Sequence, residues 1–189
     1  DSGWSTRSAN CWTTFSAAFR EFPYNGGLLY DAPQQMGPAN PLWEKPTGYA
    51  STMVGLPYDN LKSWRANFPA RVFIGQFTKM ADGFDAAIDG LVKAAQELPR
   101  DAAKRDALAR ELDVMKVCAI HYRSVANQAR FVMARDALTA DDKAKAAEAL
   151  DTLAAVLASE TELAVRLHAI QQRDSRIGYE ASNHYFYVP

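Results

Sequence analysis

The strongest constraint on the fold is a set of three long stretches, between residues 70 and 173, in which apolar residues recur every three or four positions. This spacing places the apolar side chains along one face of an α-helix. Ala, Leu, Glu, Lys and Arg, which favour helix, occupy most of the other positions. The sequence therefore predicts a mainly α protein built on three long amphipathic helices.

The predicted helices span residues 69–98, 101–138 and 139–173. Pro99 ends the first helix, and Thr139 is the predicted N-cap of the third. The connections between the helices are short, so consecutive helices are expected to be antiparallel. An up-down-up bundle is the simplest arrangement that satisfies these constraints.

Each predicted helix carries an apolar stripe that should face the core. The stripe of the second helix extends to Met133. The stripe of the third comprises Leu150, Leu153, Leu157, Leu163, Leu167 and Ile170. From the three stripes we expect these side chains to be buried: Phe77, Phe84, Leu112, Met115, Leu153 and Leu157.

Residues 1–69 differ in composition, because they contain seven of the nine prolines and twelve of the 21 aromatic residues. One short helix is predicted from Ser8 to Phe22, and residues 27–30 are predicted to form a short strand. Residues 32–57 hold five prolines and three glycines, which predicts a long ordered loop. We interpret residues 1–189 as one domain: an irregular aromatic segment, the bundle, and a polar-aromatic tail over residues 174–189.

The composition excludes several classes of function. The net charge is −1 and no basic run is present, so nucleic acid is not an expected partner. No run of 18 apolar residues is present, so no membrane-spanning helix is expected, and the first residues do not resemble a signal peptide. Cys11 and Cys118 match no metal-site or redox spacing, which favours buried free thiols over a disulfide. Cytoplasmic and secreted locations both remain open.

Known catalytic and cofactor motifs are also missing from the sequence. It contains no Gly-rich phosphate loop, no HExxH, no CxxC pair and no GxSxG, so no cofactor is predicted. Glycoside hydrolysis needs two carboxyl groups that flank the scissile bond, and no spacing pairs two acidic residues outside the long helices. A complete active site, as in a self-sufficient small enzyme, is therefore not the favoured interpretation.

The second long helix carries an unusual set of long polar side chains, at Arg123, Asn127, Gln128, Arg130 and Arg135. They form either a solvated face or a set of anchors that hydrogen-bond to the irregular segments. We favour the anchoring role for Asn127 and Arg130, because they stand in mid-helix next to apolar neighbours.

Several short motifs outside the bundle occur together: Phe22-Pro-Tyr24, Gly37-Pro-Ala-Asn40-Pro-Leu, Pro46-Thr-Gly-Tyr49, Pro57-Tyr-Asp59 with Trp64-Arg65, and Asp174-Ser-Arg-Ile-Gly-Tyr-Glu180-Ala-Ser-Asn183-His-Tyr. This pattern resembles the C-terminal helical region of large bacterial glycoside-hydrolase-type proteins whose upstream part is a (β/α)8 barrel. The resemblance implies an accessory region beside a sugar-binding barrel, in a longer chain. It assigns no catalytic residue.

The same motifs combine aromatic rings with planar polar groups, which suits a polyhydroxylated ligand. The candidate sugar-binding residues are Asn40, Trp43, Tyr49, Tyr58, Asp59, Trp64, Arg65, Glu180, Asn183, His184 and Tyr185. For them to form one site, the tail must run back along the bundle and bring His184 or Tyr185 to the Asn40 or Asp59 segment. In the alternative interpretation the aromatics are packing residues, and the chain is a helical protein–protein interaction or structural domain.

Overall fold

The computed structural model describes residues 2–20, 22–38, 42–48, 59–96, 102–139, 143–174 and 176–177. In these ranges the chain forms six helices and no strand: α1 (Ser2–Arg20), α2 (Leu28–Gln35), α3 (Leu61–Trp64), α4 (Ala70–Ala95), α5 (Ala102–Ala137) and α6 (Lys143–Gln171). The prediction of a mainly α fold with three long helices is confirmed. The bounds of α4, α5 and α6 agree with the predicted ones to within a few residues, apart from the start of α6.

α5 is the central helix of the bundle. α4 and α6 both pack against it, α2 and α3 contact it, and α1 packs on α4. As a result residues 124–129 of α5 are all buried, although a helix covered on one face only would expose some of them. This explains why polar residues in the middle of α5 are buried as well.

The main core lies between α4 and α5. Phe77, Phe84, Leu112 and Met115 are buried there, as the stripes predicted. Phe84 and the partly buried Tyr122 pack with their ring centroids 5.7 Å apart. Each buried Phe, Leu or Met side chain contributes about 1.5–3 kcal/mol. The interface between α4 and α5 therefore supplies much of the stability of the bundle.

The stripe predicted for α6 is only partly correct. Leu150 is 58% exposed, Leu157 is 49% exposed and Leu153 is half-buried. Leu163, Leu167 and Ile170 are buried as predicted, and the other buried apolar residues of α6 are Ala149 and Val156, which the stripe did not include. Apolar residues occupy more than one face of α6, and neighbouring positions on a helix differ by about 100° in direction. The periodicity therefore did not determine which face meets α5.

Met133 also differs from its prediction, since it is 45% exposed. Near the C-terminal end of α5 its side chain lines two surface cavities. The regular stripe of α5 therefore ends before the last turn of the helix.

The N-terminal part contains more helix than expected. α1 begins at Ser2, six residues before the predicted start, and residues 28–35 are helical, so the strand predicted at residues 27–30 is wrong. The backbone N–H of Gly27 donates to the Asn25 side chain, and the N–H of Leu28 donates to the Asn25 carbonyl, which turns the chain into α2. The predicted loop accordingly begins after this helix.

α1 and α4 approach closely through small residues. A Cβ atom added to Gly90 would lie 2.5 Å from the Cys11 sulfur, and one added to Gly83 would lie 2.9 Å from the Ala18 Cβ. The two pairs are seven residues apart on each helix and run in opposite directions, so α1 is antiparallel to α4. Both cysteines are free and partly buried.

Candidate functional site

Four of the eleven sequence-predicted site residues lie in the described part of the chain: Trp43, Asp59, Trp64 and Arg65. The other seven lie outside the described residues: Asn40, Tyr49, Tyr58, Glu180, Asn183, His184 and Tyr185. The prediction that the tail folds back onto the Asn40 or Asp59 segment therefore also concerns residues outside those described.

Asp59 connects the two irregular segments that precede the bundle. Its side chain is 7% exposed, immediately before α3, and its carboxylate accepts a hydrogen bond from the backbone N–H of Thr47 at 2.5 Å. A buried carboxylate must be hydrogen-bonded or paired to offset its desolvation. Asp59 therefore fixes residues 42–48 against the start of α3.

Arg135 holds these two segments against the last turn of α5. Its guanidinium, which is 8% exposed, donates to the carbonyls of Trp43 at 3.3 Å and Asp59 at 3.4 Å. It lies 3.9 Å from the Asp59 carboxylate, and its Nε donates to Asp136 at 3.0 Å. One buried cation thus connects two loop segments that are sixteen residues apart at Trp43 and Asp59.

Gln128 makes a similar contact one heptad earlier on α5, where its Nε2 donates to the Gly37 carbonyl at 2.9 Å. A Cβ atom at Gly37 would lie 2.3 Å from the Pro33 carbonyl oxygen, so this close turn requires glycine. Polar residues of α5 do anchor the irregular segments, but the anchors are Gln128 and Arg135. The described partners of Asn127 and Arg130 lie on α5, α6 and α4, while the Asn40 and Asn183 segments to which the prediction tied them lie outside the described residues.

A cleft of about 290 Å³ opens beside the Arg135 contacts. It is lined by Pro46, Gly48, Asp59, Asn60, Leu61, Lys62, Val132, Met133, Arg135 and Asp136. The lining combines apolar side chains with charged and amide groups, so the cleft offers an apolar surface together with hydrogen-bond donors and acceptors. We call it the Arg135 cleft.

The other described candidates have structural contacts. Trp64 is 3% exposed and belongs to a core cluster with Met36 and Phe73, so its ring is covered and offers no stacking surface. Arg65 donates from its guanidinium to the Phe68 carbonyl at 2.6 Å, which stabilises the turn before α4. Trp43 is 44% exposed and is the only one of these aromatics with an accessible ring.

A second polar cluster connects α4, α5 and α6. The Glu160 carboxylate accepts hydrogen bonds from Ser124 at 2.6 Å and from Asn127 at 2.7 Å, and Asn127 also donates to Ser159 at 2.9 Å. Burial raises the pKa of Glu160, and the hydrogen bonds from Ser124 and Asn127 lower it in part. This cluster was not predicted from the sequence, although Ser124 and Asn127 stand among apolar residues in the middle of a helix, a pattern that indicates buried polar side chains with hydrogen-bond partners.

Arg130 extends this cluster to α4, since it donates to the Asn127 side-chain oxygen at 3.0 Å and to the Thr78 hydroxyl at 2.9 Å. In the described residues, no group of three or more His, Cys, Asp or Glu side chains is arranged to hold a metal ion. None of the helices in the described ranges is long and apolar enough to cross a membrane.

Comparisons of the chain with protein-family models, with curated proteins and with solved structures found no match. The fold and the two polar clusters therefore define the protein as a mainly helical bundle with an anchored irregular segment.

Proposed function

We propose that this chain is a carbohydrate-associated accessory region of a larger glycoside-hydrolase-like protein. In this proposal the long helices are a scaffold, and the Arg135 cleft contacts a sugar. The observation that carries the proposal is the double anchoring of residues 42–48 and 59–64 by Arg135, which holds polar groups from two loop segments around one opening.

The chemistry of the cleft suits a neutral polyol. Sugars present hydroxyl groups that must be paired when they leave water, together with apolar C–H faces. Asn60 and Lys62 are exposed at the cleft and supply donors, and Leu61 and Met133 supply an apolar surface. Ligand pockets usually measure about 300–1,000 Å³, so this cleft suits a single sugar ring.

The same geometry favours binding over hydrolysis. Of the described residues, Asp59 and Asp136 supply the two carboxylates in the lining. Asp59 accepts from Thr47 and lies near Arg135, and Asp136 accepts from Arg135. Glycoside hydrolysis needs two carboxyl groups that flank the scissile bond, whereas each of these carboxylates is already held by a contact within the protein. The hydrolysis itself belongs to another part of the parent protein in this proposal.

The test is a titration of the ¹⁵N-labelled chain with glucose, xylose and galactose, followed by amide chemical shifts. We expect saturable shifts at residues 46–48, 59–62 and 133–136. Asn60 makes no capping hydrogen bond to α3, so Asn60→Ala should weaken binding without disturbing the fold. Asn10→Ala, the same change at an exposed position of α1, is the control. Shifts that never saturate, or equal affinity in both variants, would contradict the proposal.

A second candidate function is a protein–protein interaction through α6. Leu150, Leu157 and Val165 are 58%, 49% and 53% exposed, and they follow one another at seven- and eight-residue steps. Separate exposed apolar residues are normal, but a row along one helix is typical of an interface. Sedimentation analysis of the double variant Leu150→Glu, Leu157→Glu tests it: if the wild-type chain self-associates and the variant does not, this candidate is favoured. A wild-type chain that remains monomeric at high concentration would argue against self-association through α6.

A further inference from the structure

A second cavity lies at the end of the bundle where α6 begins and α5 ends. Its volume is about 340 Å³, and it is formed by the start of α4, the last two turns of α5 and the first part of α6. Most of its wall is apolar, with Ile74, Met133, Ala134, Ala137 and Ala149, and Thr152 completes the side on α6. Arg130, Lys145 and Glu148 are its charged residues.

Arg130 stands out at this cavity because its described partners are uncharged. The half-buried guanidinium donates to the Asn127 amide oxygen and to the Thr78 hydroxyl, and no described carboxylate forms an ion pair with it. Burial lowers the pKa of Arg130, the positive charge of Arg123 adds to this effect, and the negative charge of Asp82 offsets part of it. A guanidinium has five N–H donors in a planar fork that matches a carboxylate.

Arg123, one heptad earlier on α5, provides an internal comparison. It donates to Asp82 at 2.8 Å and to Asp85 at 2.7 Å. Burial lowers its pKa, but the hydrogen bonds and charges of the two aspartates outweigh this effect, so the pKa of Arg123 is raised. Two arginines on similar faces of one helix thus differ in their described partners: Arg123 is paired with two aspartates, whereas Arg130 lines the cavity and is hydrogen-bonded only to uncharged groups.

We infer that this cavity binds a small amphipathic monocarboxylate. The carboxylate pairs with the free N–H edge of Arg130, and the apolar body of the ligand lies against Ile74, Met133 and the alanines of α5. Lys145 adds a second positive charge to the wall, while Glu148 opposes it, so a ligand with one negative charge fits better than a dianion. This site is separate from the Arg135 cleft, with which it shares Met133.

The experiment uses octanoate as the probe and 1-octanol as its uncharged counterpart, each titrated into the ¹⁵N-labelled chain. Octanoate should give saturable amide shifts at residues 130–137 and 145–152, and octanol should bind at least about tenfold more weakly, since it lacks the charge-assisted pair. Arg130→Gln removes the charge but keeps a planar amide that can donate to Asn127 or Thr78. It should weaken octanoate binding by about tenfold or more.

Arg123→Gln is the matched control and should change octanoate affinity by less than about twofold, because that arginine is already paired. Ala137→Phe, which fills the cavity from its wall, should abolish the binding and serves as a second variant if Arg130→Gln reduces helix content. The inference is overturned if octanol binds as tightly as octanoate. It is also overturned if both arginine variants lose affinity equally, or if Ala137→Phe leaves binding intact.

Discussion

Replacing Asn127 by alanine is the most direct perturbation of the polar cluster that joins the three long helices. Asn127 is 4% exposed and makes three hydrogen bonds: its Nδ2 donates to Ser159 and to Glu160, and its Oδ1 accepts from Arg130. The substitution removes one of the two described side chains of α5 that hydrogen-bond to Glu160 of α6, and one of the two described partners of Arg130.

The expected loss in the free energy of unfolding follows from the kinds of group to which Asn127 is hydrogen-bonded. Two of the three bonds involve a charged group and are each worth about 1.5–3 kcal/mol, while the bond to Ser159 is worth about 1 kcal/mol. Alanine recovers roughly 0.5 kcal/mol through its higher helix propensity, and contributions in one network are not additive. We therefore expect Asn127→Ala to lower the free energy of unfolding by about 3 kcal/mol.

The assay is urea unfolding followed by circular dichroism at 222 nm, with Asn10→Ala in α1 as the control for the same change at an exposed site. The control should alter the free energy of unfolding by less than about 0.5 kcal/mol. The reasoning is refuted if Asn127→Ala costs less than about 1 kcal/mol, because the cluster would then contribute no more than solvated polar residues do.

Three further predictions concern stability. Burial raises the pKa of Glu160 above its ordinary value of 4.5, so the folded state holds the Glu160 proton more tightly than the unfolded state does. The free energy of unfolding should therefore fall as the pH rises from about 4.5 through the pKa of Glu160 in the folded state. Glu160→Gln should flatten this fall in melting temperature, and an unchanged slope would contradict it. Leu112→Ala should cost about 2–5 kcal/mol in urea unfolding, whereas the exposed Leu157→Ala should cost less than about 0.5 kcal/mol; equal costs would reject the assigned faces. Gly90→Ala places a methyl group against the Cys11 sulfur of α1 and should lower the free energy of unfolding by about 1–3 kcal/mol. A Cβ atom at Gly75 meets nothing within 4 Å, so Gly75→Ala should raise it by up to about 1 kcal/mol, and thermal melts measure both variants. A loss of stability at both glycines would argue against the close α1–α4 contact.

The helices of the bundle were predictable because their signals are local. Apolar spacing and helix-forming composition identified α4, α5 and α6, and the buried positions of α4 and of the first half of α5 followed from the same spacing. The segment at Leu28–Tyr30 was assigned incorrectly, because three apolar residues in a row suit either a strand or a helix. Contacts with the bundle and the turn at Asn25 select the helix.

The candidate site was less predictable, because its contacts join residues far apart in the sequence. The mixture of aromatic and polar residues in 41–65 indicated Asp59 and Trp43 as site candidates. Their shared partner Arg135 lies 76 positions from Asp59 and 92 positions from Trp43 in the sequence. Trp64 shows the opposite case: its neighbours in sequence suggest a binding loop, while its neighbours in space are core residues. No local pattern distinguishes an aromatic ring that stacks on a ligand from one that packs inside.

The sequence by itself therefore determined the class of fold, the number of long helices and most of the core between α4 and α5, since each depends on interactions within one or two helical turns. The tertiary structure decided which face of α6 is buried, which polar residues of α5 anchor the described irregular segments, and that Arg130 lines a cavity with no described carboxylate as its hydrogen-bond partner. These features depend on which helices meet α5 and at what rotation. That arrangement is set by packing over the whole bundle, which periodicity along a single helix does not specify.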